Sequence, residues 1–258
     1  MLLIGCIIQA RMGSSRLPGK VMKILDDKNP LLFYVINQLK YSKLIDKIII
    51  ATTTLKEDDI IEIFCKSNKI ECFRGKENDV LDRHYQCAVN YSLSTIVRIP
   101  SDKPLIDPEI VDLGIKIFNE NTYDYVSNFH PYSYPYGTEV EIFSFKTLQK
   151  IWKEAKLPSE REHVIPYVFN NQNKFSTHNF LNSENISHLR WEVDRENDLK
   201  LVKIIISNIK NEPILTKDIV KFLHDYPEYQ KINKNISRNE GHLKSLEEDK
   251  KFRNSSKI

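Results

Sequence analysis

Residues 2–20 read LLIGCIIQARMGSSRLPGK. The apolar run from Leu2 to Ile8 is typical of a buried parallel strand, and the polar residues after it begin a loop. This first loop, residues 9–20, holds two arginines, one lysine, two serines and two glycines. Ligands of open α/β sheets bind beyond the carboxyl ends of the strands. We therefore expect the first loop to line a binding crevice.

Strands and helices alternate from this loop to about residue 120. Apolar runs predict further strands over 47–53, 70–73 and 94–99. Helical spacing of apolar residues predicts helices near 30–40, 56–68 and 78–92, and Pro108 is placed to open another. The alternation predicts an α/β fold with a parallel sheet covered by helices on both faces.

The pattern changes from Tyr123 onward. Residues 129–137, FHPYSYPYG, are too rich in proline for a regular element and predict a loop. The expected elements that follow are strands near 138–143, 175–181 and 188–194 and helices near 144–155, 160–171, 196–210 and 216–224. We expect one catalytic domain over residues 1–230, with an inserted segment at about 120–190. The polar residues 231–258 should form a weakly packed tail.

Composition excludes several classes of protein. Lys and Arg number 38 against 35 Asp and Glu, a net charge of +3 that argues against a nucleic-acid partner. No apolar run approaches the roughly 20 residues of a membrane-spanning helix, and the start of the chain lacks the basic leader of a signal peptide. The four cysteines form no Cys-x-x-Cys pair, which excludes a zinc ribbon and fits reduced thiols in the cytoplasm.

The chain has only 7 glycines in 258 residues, and two of them lie in the first loop. Gly13 and its neighbours predict backbone N–H groups directed at an anion, with Arg11, Arg16 and Lys20 neutralising its charge. The loop is not a Walker A motif, because its glycine spacing is one residue too long and a valine follows the lysine. The alternative is a solvated basic loop whose glycines only make turns.

Two aspartates follow predicted strands. Asp102 follows the strand over 94–99, and Asp194 follows the strand that ends at Val193. Such strand ends meet in a parallel sheet, and two carboxylates that meet repel each other unless a cation joins them. Mg²⁺ binds one or two carboxylates together with phosphate oxygens. The alternative is that either aspartate caps the helix that follows it.

Residues 10–20 resemble the signature loop of cytidylyltransferases that activate acidic sugars. The SpsF-like branch of spore coat polysaccharide biosynthesis is the most similar, and the acylneuraminate and 3-deoxy-manno-octulosonate cytidylyltransferases are related to it. The resemblance covers about residues 1–210 and continues through Phe73-Arg74-Gly75, Asp79 to Arg83, Arg98 to Asp107, Tyr134 to Gly137, Arg161 to Val164 and Leu189 to Asp194.

The resemblance implies a Rossmann-like fold of the nucleotide-diphospho-sugar transferase type, whose inserted segment binds sugar and forms a homodimer. It implies transfer of CMP from CTP to a small sugar acid, giving a CMP-sugar and pyrophosphate for surface polysaccharide or glycan synthesis. The cofactor is expected to be Mg²⁺, held by Asp102 and Asp194. No membrane or nucleic-acid partner is expected.

Site residues follow from the matching motifs. The expected catalytic residues are Arg11, Lys20 and Asp102. The expected nucleotide-binding residues are Ala10, Arg11, Gly13, Ser14, Arg16, Lys20, Arg74, Asp82, Arg83 and Asp102, with Asp82 fixing Arg83. The expected substrate-binding residues are Tyr136, Gly137, Glu139, Glu141, His163 and Arg190. Alternating glutamates are also common on exposed strands, and a lone His or Arg is often structural.

The sequence departs from the family pattern at Ser101, Lys103, Glu192 and Arg195. Other functions stay open at this point. One is a nucleotidyltransferase acting on a phosphorylated sugar or polyol. A second is a glycosyltransferase that uses a nucleotide sugar, although no Asp-x-Asp pair follows a strand. A third is a nucleotide-binding protein without catalytic activity.

Overall fold

The computed structural model describes residues 3–236 and 240–255. Residues 1–2, at the start of the predicted first strand, and 237–239 and 256–258, in the predicted tail, lie outside the described residues. The strands are β1 Ile4–Gln9, β2 Lys47–Thr53, β3 Glu71–Gly75, β4 Thr95–Pro100, β5 Tyr125–Ser127, β6 Glu141–Ser144 and β7 Thr177–Asn179. The helices are α1 Leu31–Leu39, α2 Asp59–Ser67, α3 Val80–Asn90, α4 Pro108–Asn119, α5 Phe145–Glu154, α6 Pro158–His163, α7 Pro166–Asn170, α8 Glu196–Asn208, α9 Thr216–Asp225 and α10 Glu240–Ser255.

The strands form one sheet in the order β3-β2-β1-β4-β6-β5-β7. β3, β2, β1 and β4 are parallel, β6 runs antiparallel to β4 and β5, and β5 is parallel to β7. Gln9 pairs with both Ala51 and Pro100, which brings the carboxyl ends of the three central strands into line. The prediction of a mostly parallel, Rossmann-like α/β fold is confirmed.

Helices cover both faces of the sheet. Successive side chains of a strand point to opposite faces, and Ile7 and Ile8 of β1 lie in two different apolar clusters. The cluster around Ile8 includes residues of α1, α4, α8 and α9. The cluster around Ile7 includes residues of α3, α5 and α7. Burial on both faces explains why the central strands read as continuous apolar runs.

The prediction of a strand over 188–194 is wrong. Those residues, all within the described part of the chain, hold only an isolated bridge between Arg190 and Tyr136. The backbone pairs with a loop instead of a strand: Trp191 N donates to Tyr136 O at 2.8 Å, and Val193 N donates to Asp102 O at 2.8 Å. The second of these bonds still places Asp194 beside Asp102, as the predicted strand would have done.

The C-terminal segment differs from the weakly packed tail that its composition suggested. It contains helix α10, which packs against α6. Ser245 and Asp249 of α10 are buried, and hydrogen bonds to α6 satisfy their polar groups there. Among the described residues, no helix has the length and apolar character needed to cross a bilayer.

Candidate active site

A large cavity opens beyond the carboxyl ends of β1 and β4. Its volume is about 1310 Å³, and its wall includes the first loop, the segment after β4, the start of β6, and α6 with α7. Ligand pockets typically measure about 300–1,000 Å³, so this cavity has room for a nucleotide together with a second substrate. The position is the one that the first loop predicted.

The first loop turns back on itself to reach the cavity. Gly19 N and Ser14 N both donate to Met12 O, at 2.9 and 2.8 Å. Gly19 has a φ of 66°, a conformation that a glycine adopts without the steric cost that a Cβ atom brings. Asp58 holds the other end of the turn, because its Oδ1 accepts from Met12 N at 2.7 Å. The turn directs Lys20, which follows Gly19, into the base of the cavity.

Lys20 joins the two predicted metal ligands. Its Nζ donates to Asp102 Oδ2, Asp194 Oδ1 and Val193 O, each at 2.9 Å. Burial alone would lower the pKa of Lys20, but the charges of Asp102 and Asp194 outweigh it and raise that pKa. Arg16 adds a second cation, donating to Asp194 Oδ1 at 2.7 Å. Burial would raise the pKa of Asp194, yet Lys20 and Arg16 bring it below its ordinary value.

A third carboxylate, Glu192, completes an acidic cluster with these two aspartates. Oxygen atoms of Asp102, Glu192 and Asp194 lie within 4.8 Å of one another. Burial, followed by the charges of the two aspartates, raises the pKa of Glu192 well above its ordinary value. Asp102 Oδ1 is buried and has no hydrogen-bonding partner among the described residues. Hard carboxylate oxygens with a free buried ligand atom suit a divalent cation such as Mg²⁺.

Glu192 was absent from the residues that the sequence indicated as metal ligands. A signal existed, because Glu192 and Asp194 are two acids separated by one residue. The helices that follow Asp102 and Asp194 are capped by other acids: Asp107 accepts from Glu109 N at the start of α4, and Asp198 accepts from Asp194 N and Arg195 N at the start of α8. The alternative of capping therefore does not explain Asp194.

Two arginines from different elements line the cavity. Arg83 of α3 is buried and donates to the carbonyl oxygens of Lys76 and Glu77, at 2.6 and 3.3 Å. Arg11 of the first loop pairs with Glu162 of α6 at 3.2 Å. Asp82 does not fix Arg83 as expected. It accepts from Trp152 Nε1 of α5 at 2.8 Å.

Arg74 lies away from the cavity. Its guanidinium pairs with Asp59 at 2.7 Å and Glu62 at 2.6 Å on α2. It also donates to the carbonyl oxygens of Thr53 and Leu55, at 2.8 Å each. This arginine ties β3 to the start of α2 and does not line the cavity.

The two predicted substrate-binding glutamates line the cavity. Glu139 and Glu141 are each 5% exposed, which excludes an ordinary exposed strand face. Glu139 accepts from Lys103 Nζ and from Gly137 N, both at 2.9 Å. Glu141 pairs closely with Arg98 of β4. Each buried carboxylate is therefore neutralised by a buried cation, as burial of charge requires.

Tyr136 and Arg190 form one unit. Tyr136 lines the cavity. The guanidinium of Arg190 lies 4.7 Å from the centre of the Tyr136 ring and is also paired with Asp198. Arg190 is buried, with its Nε 2.9 Å from Asp198 Oδ1. Arg190 thus supports the cavity wall from behind and does not line it.

Gly137 is needed for its backbone. Its φ is 113°, and a Cβ atom there would lie 2.7 Å from Glu192 N. The glycine therefore lets the loop approach the segment that carries the acidic cluster.

The structure brings most of the predicted site residues to one cavity. The predicted residues that line it are Ala10, Arg11, Gly13, Ser14, Arg16, Lys20, Arg83, Asp102, Tyr136, Glu139, Glu141, His163 and Asp194. Four predicted residues do not line it: Arg74, Asp82, Gly137 and Arg190.

Comparison with known proteins identifies the family. The family model described as Cytidylyltransferase matches residues 5–251. The chain belongs to the cytidylyltransferase family. The spore coat polysaccharide biosynthesis protein SpsF of Bacillus subtilis is 30% identical over 231 residues, which are 86% of this chain and 94% of that protein. Membership makes this protein a CTP-dependent nucleotidyltransferase.

Two further relatives of this cytidylyltransferase are informative. A cytidylyltransferase of known structure from Leptospira borgpetersenii has 33% sequence identity to this chain. The two structures superpose with a TM-score of 0.86, over 92% of this chain and 99% of that one. A 3-deoxy-manno-octulosonate cytidylyltransferase of Pelobacter propionicus is 32% identical over 113 residues, 44% of this chain and 43% of its own length. The second similarity is partial and reaches less than half of either protein.

Proposed function

We propose that this cytidylyltransferase transfers CMP from CTP to a hydroxyl group of a sugar acid, releasing pyrophosphate. The observation that carries the proposal is the position of Lys20, which joins Asp102 and Asp194 at the base of a cavity lined by arginines. The names of two relatives support the acceptor: one takes part in polysaccharide biosynthesis, and the other acts on 3-deoxy-manno-octulosonate, a sugar acid. The product would serve surface polysaccharide or glycan synthesis.

The first loop holds the triphosphate in this proposal. Nucleotidyl transfer depends on positioning and on neutralising charge, with little covalent chemistry by the protein. Arg11, Arg16 and Lys20 would contact the phosphates and stabilise the negative charge that develops on the leaving pyrophosphate. The backbone of Ala10, Gly13 and Ser14 would approach the same phosphates. Arg83 would contact the nucleotide from the α3 side.

Asp102 and Asp194 would hold Mg²⁺, with Glu192 as a third acidic ligand. When bound there, Mg²⁺ supplies charge neutralisation and polarisation of the α-phosphate. The protein contributes the placement of the carboxylates. The bond from Val193 N to Asp102 O and the bonds from Lys20 fix both aspartates relative to the first loop.

The acceptor would lie against the opposite wall of the cavity. Tyr136, Glu139, Glu141 and His163 line that wall, next to the aromatic side chains of Phe129, His130, Tyr132 and Phe169. Aromatic faces with a few fixed polar groups are typical of sugar sites. Gly137 and Arg190 would act through their neighbours, the first by admitting the backbone of Glu192 and the second by supporting Tyr136.

We further infer that the enzyme is a homodimer through the segment 120–190 and acts in the cytoplasm. The four free cysteines fit a reducing compartment. The dimer is tested by light scattering of the purified protein, for which a mass near twice 30.3 kDa is expected.

The test is pyrophosphate release with each of the four NTPs, MgCl₂, and a panel of 2-keto-3-deoxy sugar acids and sugar phosphates. We expect release only with CTP and a sugar acid, and a loss of about a thousandfold or more in Asp102→Asn. Asp225→Asn, which alters an exposed aspartate of α9, is the matched control. Release with a sugar phosphate would favour the phosphorylated acceptor, and no release with any acceptor would contradict both.

A further inference from the structure

Helix α10 is joined to α6 by buried side-chain contacts. Asp249 accepts from Ser159 N at 2.9 Å and from Ser159 Oγ at 2.6 Å. Ser245 Oγ lies 2.9 Å from His163 Nε2, four residues further along α6. Ser159, Ser245 and Asp249 are each less than one-tenth exposed. Hydrogen bonds require a particular distance and direction, so these contacts fix the position of α10 relative to α6.

Asp249 supplies the acceptor for Ser159 N, the first N–H group of α6, because Pro158 has none. The residue before α6 is Leu157, whose side chain makes no capping hydrogen bond. The first N–H groups of a helix have no partner within it and need an acceptor from elsewhere. Asp249 provides that acceptor from a distant part of the chain, and in return its buried charge is satisfied.

Helix α6 in turn connects the parts of the active site. Arg161 pairs closely with Asp79, the residue that caps α3. Glu162 pairs with Arg11 of the first loop. His163 lines the cavity, and so do Ser245 and Glu248 of α10 itself. A shift of α6 would therefore change the wall that carries His163.

We propose that α10 is a positioning element of the acceptor site, in which Ser245 orients the ring of His163 and Asp249 seats α6. The inference rests on the proposed function, because it takes His163 as a contact of the sugar acid. Ser245 and Asp249 do not touch the reacting atoms in this proposal. They determine where His163 lies, and through it the affinity for the acceptor.

The kinetic test compares Ser245→Ala, Ser245→Thr and Asp249→Asn in the full chain. Threonine keeps the hydroxyl group, whereas asparagine keeps only one acceptor atom for the two donors of Ser159. The control is Glu247→Gln, an exposed position of α10. We expect the KM for the sugar acid that supports release to rise about tenfold in Ser245→Ala and Asp249→Asn, since misplaced contacts cost this much or more. Ser245→Thr should restore it. In Ser245→Ala the Kd for CTP, measured by calorimetry with MgCl₂, should stay within about twofold, because Ser245 contacts His163 and not Glu162.

A KM unchanged in Ser245→Ala would overturn the inference, and so would a parallel weakening of CTP binding, which indicates general damage. Two readouts do not need an acceptor. Asp249→Asn should speed amide exchange over residues 158–163, and Ser245→Ala should shift the ring ¹⁵N signals of His163, assigned with His163→Gln. If no acceptor supports release, the proposed function fails, and unchanged exchange and ring signals would then overturn the role of α10 separately.

Discussion

The Nζ atom of Lys20 lies 2.9 Å from Oδ1 of Asp194, a residue 174 positions later in the chain. The same nitrogen lies 2.9 Å from Asp102 Oδ2, so that one ammonium group joins two carboxylates. The lysine side chain is only 9% exposed, which makes its attraction to both acids stronger than that of a surface ion pair. Lys20 therefore neutralises the same two carboxylates that we assign to Mg²⁺, and its removal should expose their dependence on a cation.

Substitution of Lys20 by methionine should destabilise the protein by about 3–5 kcal/mol in the presence of EDTA, because Asp102 loses its cation and the largely buried Asp194 keeps only Arg16. MgCl₂ should restore more stability to this variant than to the wild type. The measurement is urea unfolding with EDTA and with MgCl₂. Lys23→Met is the control: its partner Glu196 is exposed, so a loss below about 1 kcal/mol is expected. Equal losses in the two variants would contradict the role of Lys20.

Replacing Gly137 by alanine should cost about 2 kcal/mol or more, since it combines a φ of 113° with a Cβ atom 2.7 Å from a backbone nitrogen. Gly13→Ala is the comparison. A Cβ atom at Gly13 would come within 3.2 Å only of the flexible Glu57 carboxylate, so its cost should stay below about 1 kcal/mol. Thermal unfolding of both variants provides the measurement. A smaller loss at Gly137 than at Gly13 would show that the loop relaxes.

The sequence was most informative about the buried parallel strands, because burial on both faces turns them into apolar runs. The predicted strand over 188–194 shows the limit of this signal. Leu189, Trp191 and Val193 do alternate, and all three are buried. Their partner, however, is a loop around Tyr136, and periodicity within a segment carries no information about the partner.

The site was predictable where residues follow a strand, as Asp102 and the first loop do. Contacts between distant segments were not. Arg74 forms ion pairs with Glu62 and Asp59, which lie twelve and fifteen residues earlier on α2. These ion pairs hold its side chain away from the cavity. The polar composition of the C-terminal segment suggested weak packing, although Asp249 is buried by hydrogen bonds to α6. Hydrogen bonds of this kind depend on tertiary placement, which composition does not record.

Asp26 predicts a pH-dependent contribution to stability. Its carboxylate accepts from Tyr34 OH at 2.5 Å and from Asn29 N at 2.6 Å. Burial would raise the pKa of Asp26, but these hydrogen bonds outweigh it and lower that pKa. A lowered pKa in the folded state stabilises the protein above the unfolded pKa of about 4, and the gain is lost as pH falls below that value.

Asp26→Asn should therefore cost about 1–2 kcal/mol at pH 7, because hydrogen bonds to a charged group are lost, and clearly less at pH 3. Urea unfolding at the two pH values measures the difference. Asp27→Asn, an exposed neighbour, should change stability little at either pH. A cost that is the same at both pH values would show that shape, not charge, matters at Asp26.

If Arg11 contacts the nucleotide as proposed, Glu162 should compete with the nucleotide for it. The two side chains are 37% and 36% exposed and 3.2 Å apart, and both line the cavity. Breaking such a pair costs less than about 1 kcal/mol, and the triphosphate carries more charge than one carboxylate. Glu162→Gln should therefore lower the Kd for CTP about two- to fivefold, an effect that shrinks as salt is raised. Calorimetry at two salt concentrations tests this, with the exposed Glu120→Gln as the control for loss of one negative charge. Weaker binding in Glu162→Gln would show instead that Glu162 holds Arg11 in the orientation that CTP requires, and would make this ion pair part of the binding site.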